Sequence, residues 1–151
     1  MLQNYRKINK RQIIMKKKIT VAAAALVRDN KLFIAQRPAS KLPPLVWEFP
    51  GGKPEEGETL PQALRRELQE ELQIDTIIGD FIMKVTHVYD FAEVTINLYW
   101  AKMVNENDTI VDNEHAQTAW ISLEEIDNYE FAQADIELIE KLRNIGFSLN
   151  R

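Results

Sequence analysis

Hydrophobic residues first gather in a dense run from Ile19 to Arg28, Val and Ala ending in Leu26 and Val27, the pattern of a buried strand. After Asp29 and Asn30 the pattern alternates from Lys31 to Arg37. Leu32, Ile34 and Gln36 stand on one side, Phe33 and Ala35 on the other. Two such runs joined by turn-forming residues predict a β-hairpin. Pro38, Pro43 and Pro44 mark a loop. A short extended piece, Trp47, Glu48 and Phe49, then stops at Pro50, Gly51 and Gly52, where a backbone without side chains can bend or approach a ligand. A charged loop runs from Lys53 to Glu58. Thr59 with Gln62 has capping-box spacing, Pro61 suits a first helical turn, and Leu60, Ala63, Leu64, Leu68 and Leu72 recur at helical intervals, so a helix is predicted here.

Two long strands follow, about Ile77 to Tyr89 and Val94 to Val104, the second with Val94, Ile96, Leu98 and Trp100 on one face. Ala116 to Ile121 reads as a further strand. Ser122 and Glu125 form a second capping box, and Ile136, Ile139 and Leu142 set a helical pattern over Ala132 to Leu142. A chain of 151 residues, 45% hydrophobic, closes one sizeable core, so residues 18–151 are expected to form a single domain of mixed α and β structure.

Residues 1–17 differ in character: Arg6, Lys7, Lys10, Arg11, Lys16 and Lys17 occur with no acidic residue. They are expected to be a flexible basic extension, with Met15 an alternative start and an organellar address a second reading of the same composition. No apolar stretch suits a secretory signal, and none approaches the ~18 residues of a membrane span. Cytoplasmic residence is the expectation. The formal charge of -4 disfavours a nucleic-acid polymer as partner. Without cysteine there is no disulfide scaffold, thiolate zinc site or cysteine nucleophile. Oligomeric state has no signature in the sequence.

Glu67, Glu70 and Glu71 lie at i, i+3 and i+4 on the first helix, which puts three carboxylates on one face within a turn. Like charges so close must spread into water, hold protons or gather a cation, and hard oxygen donors suit magnesium, with manganese as a substitute. That spacing also describes a solvated acidic face. The wider pattern decides between them: Gly52, five residues, Glu58, seven residues, Arg66, Glu67, Leu68, one residue, Glu70, Glu71, one residue, Gln73, Ile74. This resembles the Nudix box, with Gln73 where that family has Gly. A chance match is on the order of 10⁻⁸ from ordinary residue frequencies. The family's Gly serves as a helix C-terminal residue at positive φ, so Gln73 bears on helix termination and not on the carboxylates.

The resemblance extends over roughly Lys18 to Leu142 and is to the MutT-type branch. It implies a mixed β-sheet packed between helices, and metal ligands at Glu67, Glu70, Glu71 and the carbonyl of Gly51. A further carboxylate, Glu114, stands six residues before Trp120 as the family pattern asks. It also implies hydrolysis of a nucleoside triphosphate to monophosphate and pyrophosphate, with water as nucleophile and one of the glutamates as proton acceptor, which one being left open. The substrate expected is 8-oxo-dGTP or a related (deoxy)nucleoside triphosphate, with a CTP- or dCTP-preferring enzyme as the alternative. A non-catalytic nucleotide-binding module is the rival from another class, disfavoured because the acidic residues are all kept.

Arg66 is expected to point away from the cluster's centre and to orient the loop by pairing with Glu58, while Gly52 shapes the backbone. Arg37 and Lys53 are candidates for phosphate contact. For the base, Phe49 offers an apolar wall, and Asp135 stands where an Asn reads oxidised guanine in MutT-type enzymes and where cytosine-preferring relatives carry Asp. Asp135 could equally complement a helix dipole. His87 reads as packing, and His115, beside Glu114, lacks evident partners for a zinc site.

Overall fold

The computed structural model describes residues 17–147. Apart from Lys17, the basic extension lies outside them; Lys17 itself opens the first strand. The elements run β1 (Lys17–Arg28), β2 (Lys31–Gln36), β3 (Trp47–Glu48), β4 (Gly51–Gly52), α1 (Leu60–Leu72), β5 (Thr76–Val88), β6 (Ala92–Met103), β7 (Gln117–Ile121), two 3₁₀ turns (Leu123–Asn128 and Gln133–Asp135) and α2 (Ile136–Ile145). Among the described residues no helix is long and apolar enough to cross a membrane.

The strands form one seven-stranded mixed sheet in the order β3-β2-β1-β6-β5, with β4 on β1 and β7 on β2. β1 pairs parallel to β6 from Lys17↔Ala92 to Leu26↔Ala101. It is central, so both of its faces are covered. Ala22, Ala24 and Leu26 face Leu64, Leu68 and Leu72 of α1, whereas Ala23, Ala25 and Val27 share a core with Leu138, Ile139 and Leu142 of α2. Each buried leucine of α1 contributes about 1.5–3 kcal/mol. Alanines along β1 let a helix approach either side. The sheet is thus sandwiched between helices, as expected.

The hairpin turn has Asp29 and Asn30 at φ 53° and 59°, the left-handed pair that matches strand twist. α1 starts with a complete capping box between Thr59 and Gln62 and ends at Gln73 in the left-handed region, φ 55° and ψ 40°. The Ser122–Glu125 capping box is present and opens a 3₁₀ turn, Leu123–Asn128. One expectation needs correction. The last helix begins at Ile136, not Ala132, and Ile136 is exposed; Leu138 takes the core position beside Ile139 and Leu142. The residues before Ile136 form a 3₁₀ turn, Gln133–Asp135, that leads directly into the helix.

Candidate active site

Packing decides where the acidic residues of α1 point. With Leu64, Leu68 and Leu72 buried against β1, Glu67 and Glu71 fall at the edge of the buried face, beside β4, and Glu70 lies exposed. β4 itself is held by pairing with Ala22 and Ala23 of β1. A Cβ on Gly52 would collide with the Glu67 carboxylate, so the missing side chain makes the cradle in which that carboxylate sits. A Cβ on Gly51, at φ 154°, would collide with the backbone carbonyl of Ala22. The two glycines therefore do different work.

Arg66 departs from expectation. It does pair with Glu58, Nε and Nη2 donating over 2.8 and 2.9 Å, and Nη2 also donates to the Lys53 carbonyl. It does not point away from the cluster, however: Nη1 donates to Glu67 and to Glu70, each at 3.1 Å. A planar guanidinium on a long stem can span the loop and the next helical turn at once. The Glu58 carboxyl is held below its ordinary range, chiefly by its hydrogen bond to Arg66. The second Glu58 oxygen closes the loop by accepting from the Glu55 amide at 2.7 Å.

Glu71 is the most perturbed carboxyl of the group. Burial first, then the negative charges of Glu67, Glu114 and Glu48, push it up to about 8, against a lowering by the Gly51 backbone. Its Oε2 is buried without a hydrogen-bond partner. Burial also raises Glu67, with Arg66 opposing. Among the described residues no three acidic or histidine side chains already converge into a cation cage, and Arg66 engages Glu67 and Glu70. The donor set nonetheless fits a hard divalent cation. It offers oxygen donors only, one of them buried and unpartnered, in a cluster whose mutual repulsion a cation would relieve.

Glu114 is brought to this place from the loop before β7. It lines a cavity of about 290 Å³ together with Glu71, Gly51, Lys53, Arg37 and His115. A second cavity, about 280 Å³, shares Arg37, Phe49 and Lys53 with the first and extends to Tyr89 and Asp135. Phe49 is buried between the two. One chamber is thus acidic with basic residues at its wall, and the adjoining one is apolar with a few polar groups, a layout suited to a phosphate chain and a base.

Asp135 is 4% exposed and makes no capping bond to α2, so its carboxyl is not spent on the helix end. Burial, then the charge of Glu48, raise it well above the ordinary range, with Arg37 opposing.

Three further residues carry no sequence motif: Glu48 and Tyr89 line the cavities, and Asp112 contacts His115, which lines one of them. Glu48 links the chambers: it pairs with Arg37 at 3.1 Å, and burial raises its pKa. A carboxylate set between Trp47 and Phe49 was the available signal. Tyr89 accepts a hydrogen bond from the Ala134 amide at 3.2 Å and stacks on Phe91 at 5.2 Å between ring centres. Asp112 accepts from His115 Nδ1 at 2.8 Å, giving that histidine a partner. His87 packs edge-on against Tyr89 at 4.4 Å.

Comparison with known proteins agrees with this layout. The family model described as NUDIX domain matches residues 18–142. The CTP pyrophosphohydrolase of Escherichia coli K12 is 40% identical over 124 residues, covering 82% of this chain and 90% of that protein. An 8-oxo-dGTP diphosphatase from Proteus vulgaris is 42% identical over 85 residues, 56% of this chain and 76% of that protein. Among solved structures, the MutT protein of methicillin-resistant Staphylococcus aureus 252 superposes with a TM-score of 0.71 at 40% identity, covering 87% of this chain and all of that one.

Proposed function

Because this chain belongs to the NUDIX domain family, we propose that it is a metal-dependent nucleoside triphosphate pyrophosphohydrolase of the MutT type. Its products are a nucleoside monophosphate and pyrophosphate, its substrate 8-oxo-dGTP or a related (deoxy)nucleoside triphosphate, and its role sanitation of the cytoplasmic nucleotide pool. One observation carries the reading: the Oε2 of Glu71 is buried without a hydrogen-bond partner, and burial, then the charges of Glu67 and Glu114, raise that carboxyl's pKa.

Glu67, Glu71, Glu114 and the Gly51 carbonyl would hold a magnesium or manganese ion, with Glu70 at the solvent edge. When bound, that ion neutralises charge on the phosphate chain and polarises its oxygens. The protein's own groups do the remainder. Arg66 holds Glu67 and Glu70 in place and ties them to the loop through Glu58. Lys53 and Arg37 stand at the wall of the acidic chamber, where they offset negative charge on the nucleotide. A glutamate of the cluster accepts the proton of the attacking water.

In the apolar chamber the Asp135 carboxyl, in its protonated form, presents one donor and one acceptor. That edge complements oxidised guanine, whose O6 accepts and N7–H donates, and cytosine, whose N3 accepts and amino group donates. The 40% identity to a CTP pyrophosphohydrolase favours keeping CTP and dCTP as the second reading. Pyrophosphate release should be measured with magnesium on a panel holding dGTP, 8-oxo-dGTP, CTP and dCTP. Release from none of them by the wild type would overturn the proposal, and the order of kcat/KM decides between the two bases. Glu71→Gln is expected to lower kcat by at least ~100-fold.

A further inference from the structure

Glu114 poses a mechanical problem. It is an exposed residue on an irregular loop, yet it lines the same cavity as Glu71. A carboxylate is best solvated in open water, so the loop left to itself would carry Glu114 away into solvent. Backbone bonds pin this part of the loop on either side of Glu114: the Val111 amide donates to the Leu72 carbonyl at the end of α1, over 3.1 Å, and the Ala116 amide to the Gln36 carbonyl of β2, over 2.9 Å.

Between those pins lies Asp112, whose side chain is 6% exposed. Its Oδ1 accepts from the amide of Glu114 itself at 2.9 Å and from the amide of His115 at 3.0 Å. Its Oδ2 accepts from His115 Nδ1 at 2.8 Å. A single carboxylate thus organises three donors on the segment that carries Glu114, and charge-assisted bonds of this kind are the stronger class. With Nδ1 facing Asp112, the His115 ring is fixed in orientation and lines the wall of the acidic chamber.

We infer that Asp112 is a positioning residue for the reaction, clamping the 112–115 turn so that Glu114 stays in the cavity beside Glu71 instead of swinging into solvent. The inference rests on the hydrolase reading for its kinetic consequence but not for the clamp itself. It gives Asp112 no contact with substrate, so the effect falls on kcat and leaves KM nearly unmoved. Asn at this position keeps the carbonyl oxygen that receives the two amides and loses only the acceptor for His115, so it should restore most of what Ala removes.

The test compares Asp112→Ala and Asp112→Asn with Asp108→Ala, an exposed control in the same loop. Three measurements are made: kcat and KM for the best triphosphate, amide hydrogen exchange of Glu114 and His115 in metal-free protein, and the His115 ring tautomer by long-range ¹H–¹⁵N NMR. Asp112→Ala is expected to lower kcat at least 30-fold with KM within threefold, and to speed exchange at both amides at least tenfold. Asp112→Asn should keep kcat within fivefold and exchange near wild type, while the tautomer changes. A kcat within threefold of wild type for Asp112→Ala, or an equal loss in Asn and Ala with KM raised alike, overturns the inference. If the wild type hydrolyses no triphosphate, the functional reading fails separately, and unchanged exchange in Asp112→Ala still overturns the clamp.

Discussion

Arg66 grips Glu58 with two nitrogens, Nε at 2.8 Å and Nη2 at 2.9 Å, so one ion pair locks the loop preceding α1 onto the helix that carries the acidic cluster. The remaining nitrogen reaches Glu67 and Glu70. Removing the guanidinium frees the loop and two carboxylates together. Arg66→Ala is expected to lower kcat or magnesium affinity by ~10–100-fold, the usual effect of losing a group that orients ligands. Arg66→Lys, which keeps the charge without the fork, should recover only part of it. Full activity in Arg66→Ala would show that the cluster needs no such support.

The raised pKa of Glu71 makes cation binding pH-dependent. Held at about 8, the carboxyl is mostly protonated at pH 7, and an entering cation must expel that proton. Magnesium affinity should therefore rise with pH from 6 to 8, by up to about tenfold per unit, and level off above. Calorimetry in two buffers of different ionisation enthalpy counts the protons released. Glu71→Gln should abolish the pH-dependent part, and a flat affinity in the wild type would contradict the assignment.

Gly51 and Gly52 should fail in different ways when given a methyl group. At Gly51 the methyl meets the Ala22 backbone, which cannot move without disturbing β1, so Gly51→Ala is expected to cost about 1–3 kcal/mol of stability. At Gly52 it meets the end of the Glu67 side chain, which can swing aside. Gly52→Ala should melt near wild type but lose most of its activity. Thermal denaturation alongside kcat separates the two, and equal melting temperatures for both variants would contradict it.

Asp135 should weaken the protein as pH rises. Its folded pKa lies above the unfolded value of roughly 3.9, so its contribution is fully present below that value and is lost as pH climbs toward the folded pKa. Asp135→Asn imitates the protonated form. Its melting temperature relative to wild type should therefore increase from pH 4 to pH 8, and its base preference should survive, since the amide keeps one donor and one acceptor. Asp135→Ala should lose that preference. A pH-independent difference between Asn variant and wild type would show that Asp135 titrates normally.

Gln73 adopts φ 55° at the end of α1, where glycine is free of the strain a Cβ brings. Gln73→Gly is expected to raise stability by about 0.5–1 kcal/mol with activity unchanged, measured by urea denaturation. A destabilised variant would count against strain at this cap.

Much of this was legible from local pattern. The Asp29–Asn30 hairpin, the capping box at Thr59, the left-handed residue at Gln73 and the face of β6 carrying Ile96, Leu98 and Trp100 all depend on neighbours a few residues apart. The spacing of Gly52, Glu58, Arg66 and the three glutamates is local in the same sense, so the metal-binding reading was available before any coordinates.

What needed tertiary structure depends on partners distant in the chain. Sequence placed Arg66 on Glu58, but its hold on Glu67 and Glu70 follows from how the loop folds back over the helix. From the sequence Glu48 is one charge in a short strand, whereas in the folded chain it lines both cavities and links them. Asp112 carried no motif, and its role exists only because the loop is pinned to α1 at one end and β2 at the other. The last helix was read from too early a start because periodicity cannot register a 3₁₀ turn that rotates the chain before the helix begins. Sequence by itself determined which chemical groups this protein possesses and on which local elements they ride, since propensity, capping and spacing act over a few residues. Only the tertiary structure decided which carboxyls are buried, which are neutralised by an arginine and which keep a proton, because desolvation and Coulomb energy depend on distance in space.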